Sequence, residues 1–206
     1  MSTADVLSFA RAWAANPLQV GAIAPSGTAL AQLITRDVVP ENGPIIELGP
    51  GTGIFTNALL ARGVRESEIT LIEGNAGFAD LLCRRFPDAS VKCMDAAQLL
   101  RTRVLEGQFA GHVISGLPLL SMKPKRVMAI LAGAFEHLRA EGAFYQFTYG
   151  PRPPVSRALL DRLGLKATRV GCTHRNIPPA TVYRIVRRPR LLSATRQLGQ
   201  KRTQPS

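Results

Sequence analysis

"IIELGPGTGIF", residues 45–55, decides the fold. An aliphatic run meets an acid, Glu47, and then three glycines, Gly49, Gly51 and Gly53, separated by Pro50 and Thr52. The apolar run reads as a buried strand. Glycines just past a strand let the backbone turn sharply and approach a ligand with no Cβ in the way. In open α/β sheets, ligands sit outside the carboxyl ends of the strands. The spacing here is G-x-G-x-G. A dinucleotide fingerprint needs its third glycine at 54, which is Ile54, and no Gly-Lys-Ser/Thr follows to make a P-loop. Both phosphate-rich cofactor classes are thereby demoted.

Working outward, a βα rhythm begins at residue 44. Strands are expected over 44–49, 68–73, 90–95, 111–116 and 143–150. Helices are expected over 54–64, 76–86, near 96–103, over 127–140 with Gly142 as the stop, and over 155–164. Two last strands, 165–174 and 180–188, are joined by "RNIPP" with no helix between them, so they must pair antiparallel. Continuous apolar strands alternating with amphipathic helices imply an α/β fold: a Rossmann-like, seven-stranded, mainly parallel sheet with an antiparallel final strand and helices on both faces. Ahead of it, residues 3–15 fit a helix with Val6, Phe9, Ala10 and Trp13 on one face. Asn16–Pro17 ends it, and a second helical stretch opens at Pro25–Ser26 with Ser26 as N-cap. The expected organisation is N-terminal helices over 1–40, a ligand-binding domain over 41–187 and a basic tail over 188–206.

Composition fits one soluble domain. The chain has 206 residues, 46% hydrophobic, and no apolar run approaches the roughly 18 residues of a membrane span. Asp5 and the lack of early Lys or Arg argue against a secretory signal. Cys83, Cys93 and Cys172 are odd in number and form no CxxC, which fits a reduced cytoplasm; all three read as buried small hydrophobes. The net charge of +12 points to an anionic partner: nucleic acid, an anionic membrane or an acidic substrate. Half of that excess lies in residues 187–206, which hold six cations and no acid and read as a solvated run packing against little.

The second strand ends in Glu73, twenty residues beyond Gly53, where an acid can accept hydrogen bonds from both hydroxyls of a ribose. The third ends in Asp95–Ala96, placed to meet an adenine edge. Taken together, "ELGPGTG", the second-strand Glu, the third-strand Asp and the helix-free final pair resemble a class I S-adenosylmethionine-dependent methyltransferase. The resemblance implies that the glycine loop wraps the methionine part of S-adenosylmethionine, with S-adenosylhomocysteine as product. Glu73 would hold the ribose and Asp95 the adenine amino group. The implied cofactor site comprises Glu47, Gly49, Pro50, Gly51, Thr52, Gly53, Glu73, Gly74, Asn75, Asp95, Ala96, Ser115, Gly116 and Leu117.

Two subfamilies compete for the acceptor. Ribosomal RNA adenine dimethyltransferases carry Asn-Leu-Pro-Tyr after the fourth strand, where the aromatic stacks a flipped base. Here that place reads Gly116-Leu117-Pro118-Leu119, without the Asn or the aromatic. They also add a helical C-terminal domain, for which this chain is too short. The stretches "FARAWAANPLQVGAIAPSG" (9–27), "VISGLPLLSM" (113–122), "FYQFTYGPRPPV" (144–155) and "RNIPPATVYR" (175–184) are similar to the bacterial phospholipid N-methyltransferases. That resemblance implies stepwise methylation of phosphatidylethanolamine, through mono- and dimethyl forms, to phosphatidylcholine. It also implies a cytoplasmic monomer held peripherally on the inner face of the membrane, with phospholipid headgroups as partners and no nucleic acid. Some members have a strongly basic N-terminal helix; this one has only Arg11. A non-enzymatic adaptor on the same fold is the remaining alternative, and the intact glycine loop and both acids argue against it.

The substrate side can be read residue by residue. Tyr145, Phe147 and Tyr149 alternate onto one face of the fifth strand. Phe147 reads as core. Tyr149, at the ligand end, could hold an ammonium against its ring while the amine gains methyl groups, with Tyr145 behind it. Pro118 flanks the same end. Arg175 and Asn176 could meet a lipid phosphate or close the hairpin turn. Phe9, Arg11 and Trp13 could contact the membrane interface or pack on the domain. His112, His137 and His174 are scattered without metal-ligand spacing, so no metal is expected and no dedicated base is assigned.

Overall fold

A computed structural model describes residues 25–149, 152–175 and 178–189. Five helices are present among them: α1 (Pro25–Ile34), α2 (Ile54–Ala61), α3 (Ala76–Arg85), α4 (Pro124–His137) and α5 (Arg157–Arg162). Seven strands form one sheet: β1 (Ile45–Leu48), β2 (Ile69–Glu73), β3 (Ser90–Cys93), β4 (Ala110–Ser115), β5 (Leu138–Tyr149), β6 (Leu165–Thr173) and β7 (Ala180–Arg187). Their order is β3-β2-β1-β4-β5-β7-β6. All neighbours from β3 to β5 pair parallel; β7 runs antiparallel to both β5 and β6. This is the expected mainly parallel sheet. The tight hairpin after β6 reverses the chain, and β7 then enters the slot beside β5 rather than extending the edge.

The period-two alternation of the central strands divides the core into two layers. Ile46, Leu48, Val113, Phe144 and Ile185 face α4, α5 and the 3-10 turn Ala96–Arg101. Ile45, Leu71, Tyr145, Phe147 and Val182 face α1, α2 and α3. Burying such a side chain contributes about 1.5–3 kcal/mol, so both layers hold the strand ends in place. Leu30, Ala31 and Ile34 of α1 belong to the second layer, which makes α1 part of the domain core.

Several expectations are corrected. Helix α4 stops at His137, not at Gly142. Leu138 takes an extended backbone and turns its side chain into the core, and β5 starts there, with a register shift opposite Ala110–His112 that absorbs Gly142. Ser26 lies inside α1, which already includes Pro25, and so is not its cap. The cysteines are not all buried: Cys83 and Cys93 are exposed and Cys172 is half-buried. Cys83 is exposed on α3, at the margin of the face that buries Ala79 and Leu82, while Cys93 ends an edge strand of half-buried and exposed positions. Arg187 and Arg188 are not part of a loose run. Arg187 donates to the carbonyls of Phe135, Leu138 (3.2 Å) and Arg139 (2.6 Å), closing the end of α4, and Arg188 pairs with Asp161.

Candidate active site

Four strand ends converge on one edge of the sheet. All four, the ends of β1 to β4, are tied together by main chain: Gly49 N donates to Ile72 O (2.9 Å), Gly116 N to Leu48 O (2.8 Å) and Met94 N to Glu73 O (2.9 Å). Above them the loop Gly49–Gly53 turns through three left-handed residues, with φ of 64° at Gly49, 56° at Gly51 and 84° at Gly53. The glycines differ in what surrounds them. A Cβ on Gly53 would stand 2.4 Å from the Phe86 ring, and one on Gly49 would stand 2.7 Å from the Leu117 side chain. A Cβ on Gly51 would meet nothing within 4 Å. Gly49 and Gly53 are held to glycine by their left-handed backbone and, in addition, by the side chains packed on them. Gly51 is required by its backbone conformation and borders open space.

Two acids meet this loop. Glu73 is buried; its Oε2 accepts from Gly51 N (3.1 Å) and its Oε1 from Asn75 N (2.9 Å). It thus clamps the glycine loop to the turn after β2, and each oxygen retains a further lone pair. Glu47 is fully buried, with Oε2 accepting from Thr56 Oγ1 (2.7 Å) and Oε1 without a hydrogen-bond partner. Burial pushes its carboxyl up to about 8; hydrogen bonds from Thr56 oppose the rise and the charge of Glu73 adds to it. A buried carboxyl with a bare oxygen is suited to a cationic or hydrogen-bonding guest, which would favour its ionised form.

The remaining residues expected on the cofactor side act mostly through the main chain. Pro50 O accepts from Gly53 N (2.9 Å), and Thr52 O accepts from Arg85 Nη1 (2.7 Å). Gly74 is exposed on the turn after β2, and Asn75 caps α3 through Phe78 N (3.1 Å). Asp95 Oδ1 caps the 96–101 turn through Ala97 N (2.9 Å) and pairs with Arg126 (3.0 Å), beside buried Ala96. Ser115 is buried, with its hydroxyl accepting from Leu117 N (3.3 Å), and Gly116 lies so close to Gly49 O that a Cβ would be 2.6 Å away.

At the end of β5, where the acceptor is expected, Phe55, Phe147 and Tyr149 form a chain of edge-to-face rings. The centroids are 5.9 Å apart for the first pair and 5.4 Å for the second. It links the first turn of α2 to the end of β5. Tyr149 is half-buried, and burial pushes its phenol up to about 12, so it stays neutral at physiological pH. Tyr145 is not brought to this edge. It is buried in register with Ile114, with its ring 5.8 Å from His112 and its hydroxyl hydrogen-bonded to the Arg184 side chain. His112 pairs with Ile45, at the opposite end of β1, and burial holds its imidazole down at about 4. Pro118 is half-buried beside Leu117. Arg175 is exposed and lines a groove of about 900 Å³ with Gly27, Ile54, Ala58, Arg62 and Thr173, so it shares a surface with the residue that follows Gly53. Asn176, Phe9, Arg11 and Trp13 lie outside the described residues.

Sequence reasoning missed two participants, Thr56 and Gln146, and named Leu117 without its place as the cover on Gly49. Gln146 is buried on β5, and its Nε2 donates to Leu117 O (2.9 Å). The signal for Gln146 was present, since a polar residue inside an otherwise apolar central strand calls for a partner. Among the described residues no group of His, Cys, Asp and Glu could hold a metal ion, and no helix is long and apolar enough to cross a membrane.

No protein-family model matches the chain. The ornithine lipid N-methyltransferase of Singulisphaera acidiphila is 31% identical over 172 residues, spanning 80% of this chain and 86% of that protein. Among solved structures, a glycopeptide N-methyltransferase complexed with S-adenosylmethionine superposes with a TM-score of 0.60 at 15% identity, over 79% of this chain and 95% of its own. A TehB-like S-adenosylmethionine-dependent methyltransferase from Corynebacterium glutamicum also gives 0.60, at 14% identity, over 91% of this chain and all of its own. These two likenesses show the shared fold.

Proposed function

We infer the reaction from one premise: the chain belongs to the lipid N-methyltransferase family. It transfers methyl groups from S-adenosylmethionine to the amine of a membrane lipid. The first acceptor is phosphatidylethanolamine, taken stepwise through mono- and dimethyl forms to phosphatidylcholine. The relative's substrate supports a second acceptor, the side-chain amine of an ornithine lipid. Both acceptors present a primary amine a few bonds from an anionic group.

The observation that carries this reading is the pairing, at one sheet edge, of a main-chain cradle with an aromatic strand end. The open space at Gly51, the bare Glu47 oxygen and the Glu73 carboxylate fit a cationic amino-acid and ribose ligand. S-adenosylmethionine, when bound, supplies a methyl group already activated on sulfur. The chain then has only to align the amine with it and exclude water. Glu73 would hold the ribose hydroxyls, Asp95 the adenine edge and Glu47 the cationic methionine end. The Tyr149 ring offers a π face to an ammonium that loses hydrogen-bond donors with each methyl gained. The attacking amine must be neutral, and an ordinary one titrates near 10. Tyr149 keeps its proton and His112 sits at the far end of the strands, so neither takes the amine proton, which leaves to water or a nearby acceptor. Arg175 would face the lipid's phosphate or carboxylate.

A two-chain lipid cannot be drawn far into water, since each exposed methylene costs about 0.8 kcal/mol. The protein works at the membrane surface, with the cofactor edge toward the headgroups. Its positive charge favours anionic bilayers by about 1 kcal/mol per basic residue near the surface. The test supplies labelled S-adenosylmethionine with vesicles of phosphatidylethanolamine, with or without phosphatidylglycerol, with vesicles of ornithine lipid, and with ribosomal RNA. Label in mono- and dimethyl phosphatidylethanolamine supports the first acceptor, and label in ornithine lipid alone moves the assignment to the second. Label in RNA and in neither lipid overturns the reading.

A further inference from the structure

Gln146 is 1% exposed in the middle of the sheet, in register with Ser115 of β4 and Tyr183 of β7. Its amide nitrogen donates to two carbonyls, Leu117 O and Phe147 O, each at 2.9 Å. Its oxygen, Oε1, is buried and accepts from nothing. A leucine or methionine of similar volume would fill this position without stranding an acceptor. What the amide gives in exchange for that unpaired oxygen is its two donated hydrogen bonds, one of them to a turn outside the strand.

What the amide does is local and specific. Leu117 has its side chain over Gly49, and Gly116 is packed so tightly on Gly49 O that no Cβ fits. Ser115 Oγ holds Leu117 N from one side (3.3 Å), and Gln146 holds Leu117 O from the other. The turn 116–118 is thus pinned between the cofactor cradle and the aromatic strand end, and β5 carries both Gln146 and Tyr149.

We propose that Gln146 is a positioning residue for methyl transfer. It fixes the Gly116–Pro118 turn on the glycine loop, and through Leu117 sets the register between the cofactor cradle and the bound amine. The proposal rests on the methyltransferase reading above. Its loss lets the turn lift, and a displacement near 1 Å at a reacting pair can cost on the order of a hundredfold in rate.

The test uses the full chain with Gln146→Leu and Gln146→Glu, and two readouts. The first is hydrogen exchange at the amides of Leu117 and Leu119 in the presence of S-adenosylmethionine, which needs no lipid. The second is steady-state lipid methylation across pH, alongside calorimetric cofactor affinity and the melting temperature. Gln146→Leu is expected to speed exchange in the turn and lower kcat by about tenfold or more. Its cofactor affinity should stay within about threefold and its melting temperature should not fall. Gln146→Glu can donate to Leu117 O only while protonated. Its rate relative to wild type should therefore be highest at low pH and fall as pH rises, a trend that a packing role would not produce. Unchanged exchange in Gln146→Leu, or a flat Gln146→Glu ratio in an active protein, overturns the proposal. Wild type that methylates no lipid sinks the function reading instead, and the exchange data still judge the strut.

Discussion

At the ends of β1 and β2 the site is made of main chain, whereas at the ends of β4 and β5 it is made of side chains. The first region is a loop of left-handed glycines, with the Gly51 N–H held by Glu73 and those of Gly49 and Gly53 by main-chain carbonyls. The second depends on Leu117, Gln146, Phe147 and Tyr149, contributed by two strands and steadied by Phe55 from a helix. A backbone cradle can be specified by a few adjacent residues, because its geometry follows from local φ and ψ. An acceptor pocket built from side chains exists only once the tertiary packing has formed. The cradle should therefore govern cofactor binding and leave chemistry alone, and the acceptor half should do the reverse.

The sharpest way to break that division is within the cradle. Gly51→Val puts a side chain into open space, at a strain cost of about 1–2 kcal/mol for the left-handed backbone, and should leave the protein folded. Its S-adenosylmethionine affinity should drop by at least about a hundredfold, ~2.7 kcal/mol. Gly53→Val drives a side chain into Phe86 and should fail differently, by losing the fold. Calorimetry and thermal melts separate the two. A folded Gly51→Val that binds normally would remove the cradle from the cofactor site.

Glu47 tests whether the cradle carries a cost. Its carboxyl ionises at about 8 in the folded chain and ordinarily near 4.5. Between those values the folded protein holds a proton that the unfolded chain has released. Stability from this group is thus complete below about 4.5, declines as pH rises and levels off above about 8. Glu47→Gln should flatten that decline and stabilise the ligand-free protein by on the order of 3 kcal/mol at pH 7. It should also weaken cofactor binding. Melting curves from pH 4 to pH 9 check the slope, and a variant with the wild-type slope would mean that Glu47 does not titrate in this window.

How much of this was legible follows the same division. Residues 45–55 are enough to read β1, the turn and the start of α2, and Glu73 and Asp95 stand where the strands end. The antiparallel pairing of β6 with β7 follows from the absence of a helix after β6, whereas the place of β7 between β5 and β6 is set by tertiary packing. Tyr145 and Tyr149 look alike in sequence, two of three aromatics on one strand face. Only the neighbours His112 and Arg184 make Tyr145 a core residue. Gln146 and Thr56 matter through contacts 29 and 9 residues away, which no local pattern encodes. Cys83 and Cys93 were misread because cysteine is usually buried, a tendency of residue type that says nothing about which face of α3 or which edge strand carries it.

Glu73 ties the glycine loop to the turn after β2 and should show an intermediate effect. Glu73→Ala frees Gly51 N and Asn75 N and, if Glu73 holds the ribose, removes its charge-assisted bonds to the hydroxyls. Affinity for S-adenosylmethionine should fall by about 1.5–3 kcal/mol, roughly ten- to a hundredfold. Glu73→Gln, which keeps an acceptor without the charge, should lie between Ala and wild type. Binding as tight as the parent's in Glu73→Ala would mean that the ribose is held elsewhere.

The smallest expected effect decides whether the acceptor half is separate at all. Tyr149 ends β5, packed edge-to-face on Phe147 and level with Ala180 of β7. If its ring receives the amine, Tyr149→Ala should lower kcat for lipid methylation by about tenfold, ~1.4 kcal/mol, in line with a desolvated cation–π contact. S-adenosylhomocysteine affinity should be nearly unchanged. The loss should grow from the first methylation to the third, because each added methyl removes a hydrogen-bond donor and leaves the ring as the remaining attraction. Tyr149→Phe should stay within about threefold of wild type, since the ring face carries the effect and a phenol raised to about 12 is no base at neutral pH. Single-turnover methylation of mono- and dimethyl lipids, run beside calorimetry with S-adenosylhomocysteine, measures both sides. Equal losses in binding and rate for Tyr149→Ala would put the ring in the cofactor site or the core, and would merge the two halves that Gly51→Val is expected to keep apart.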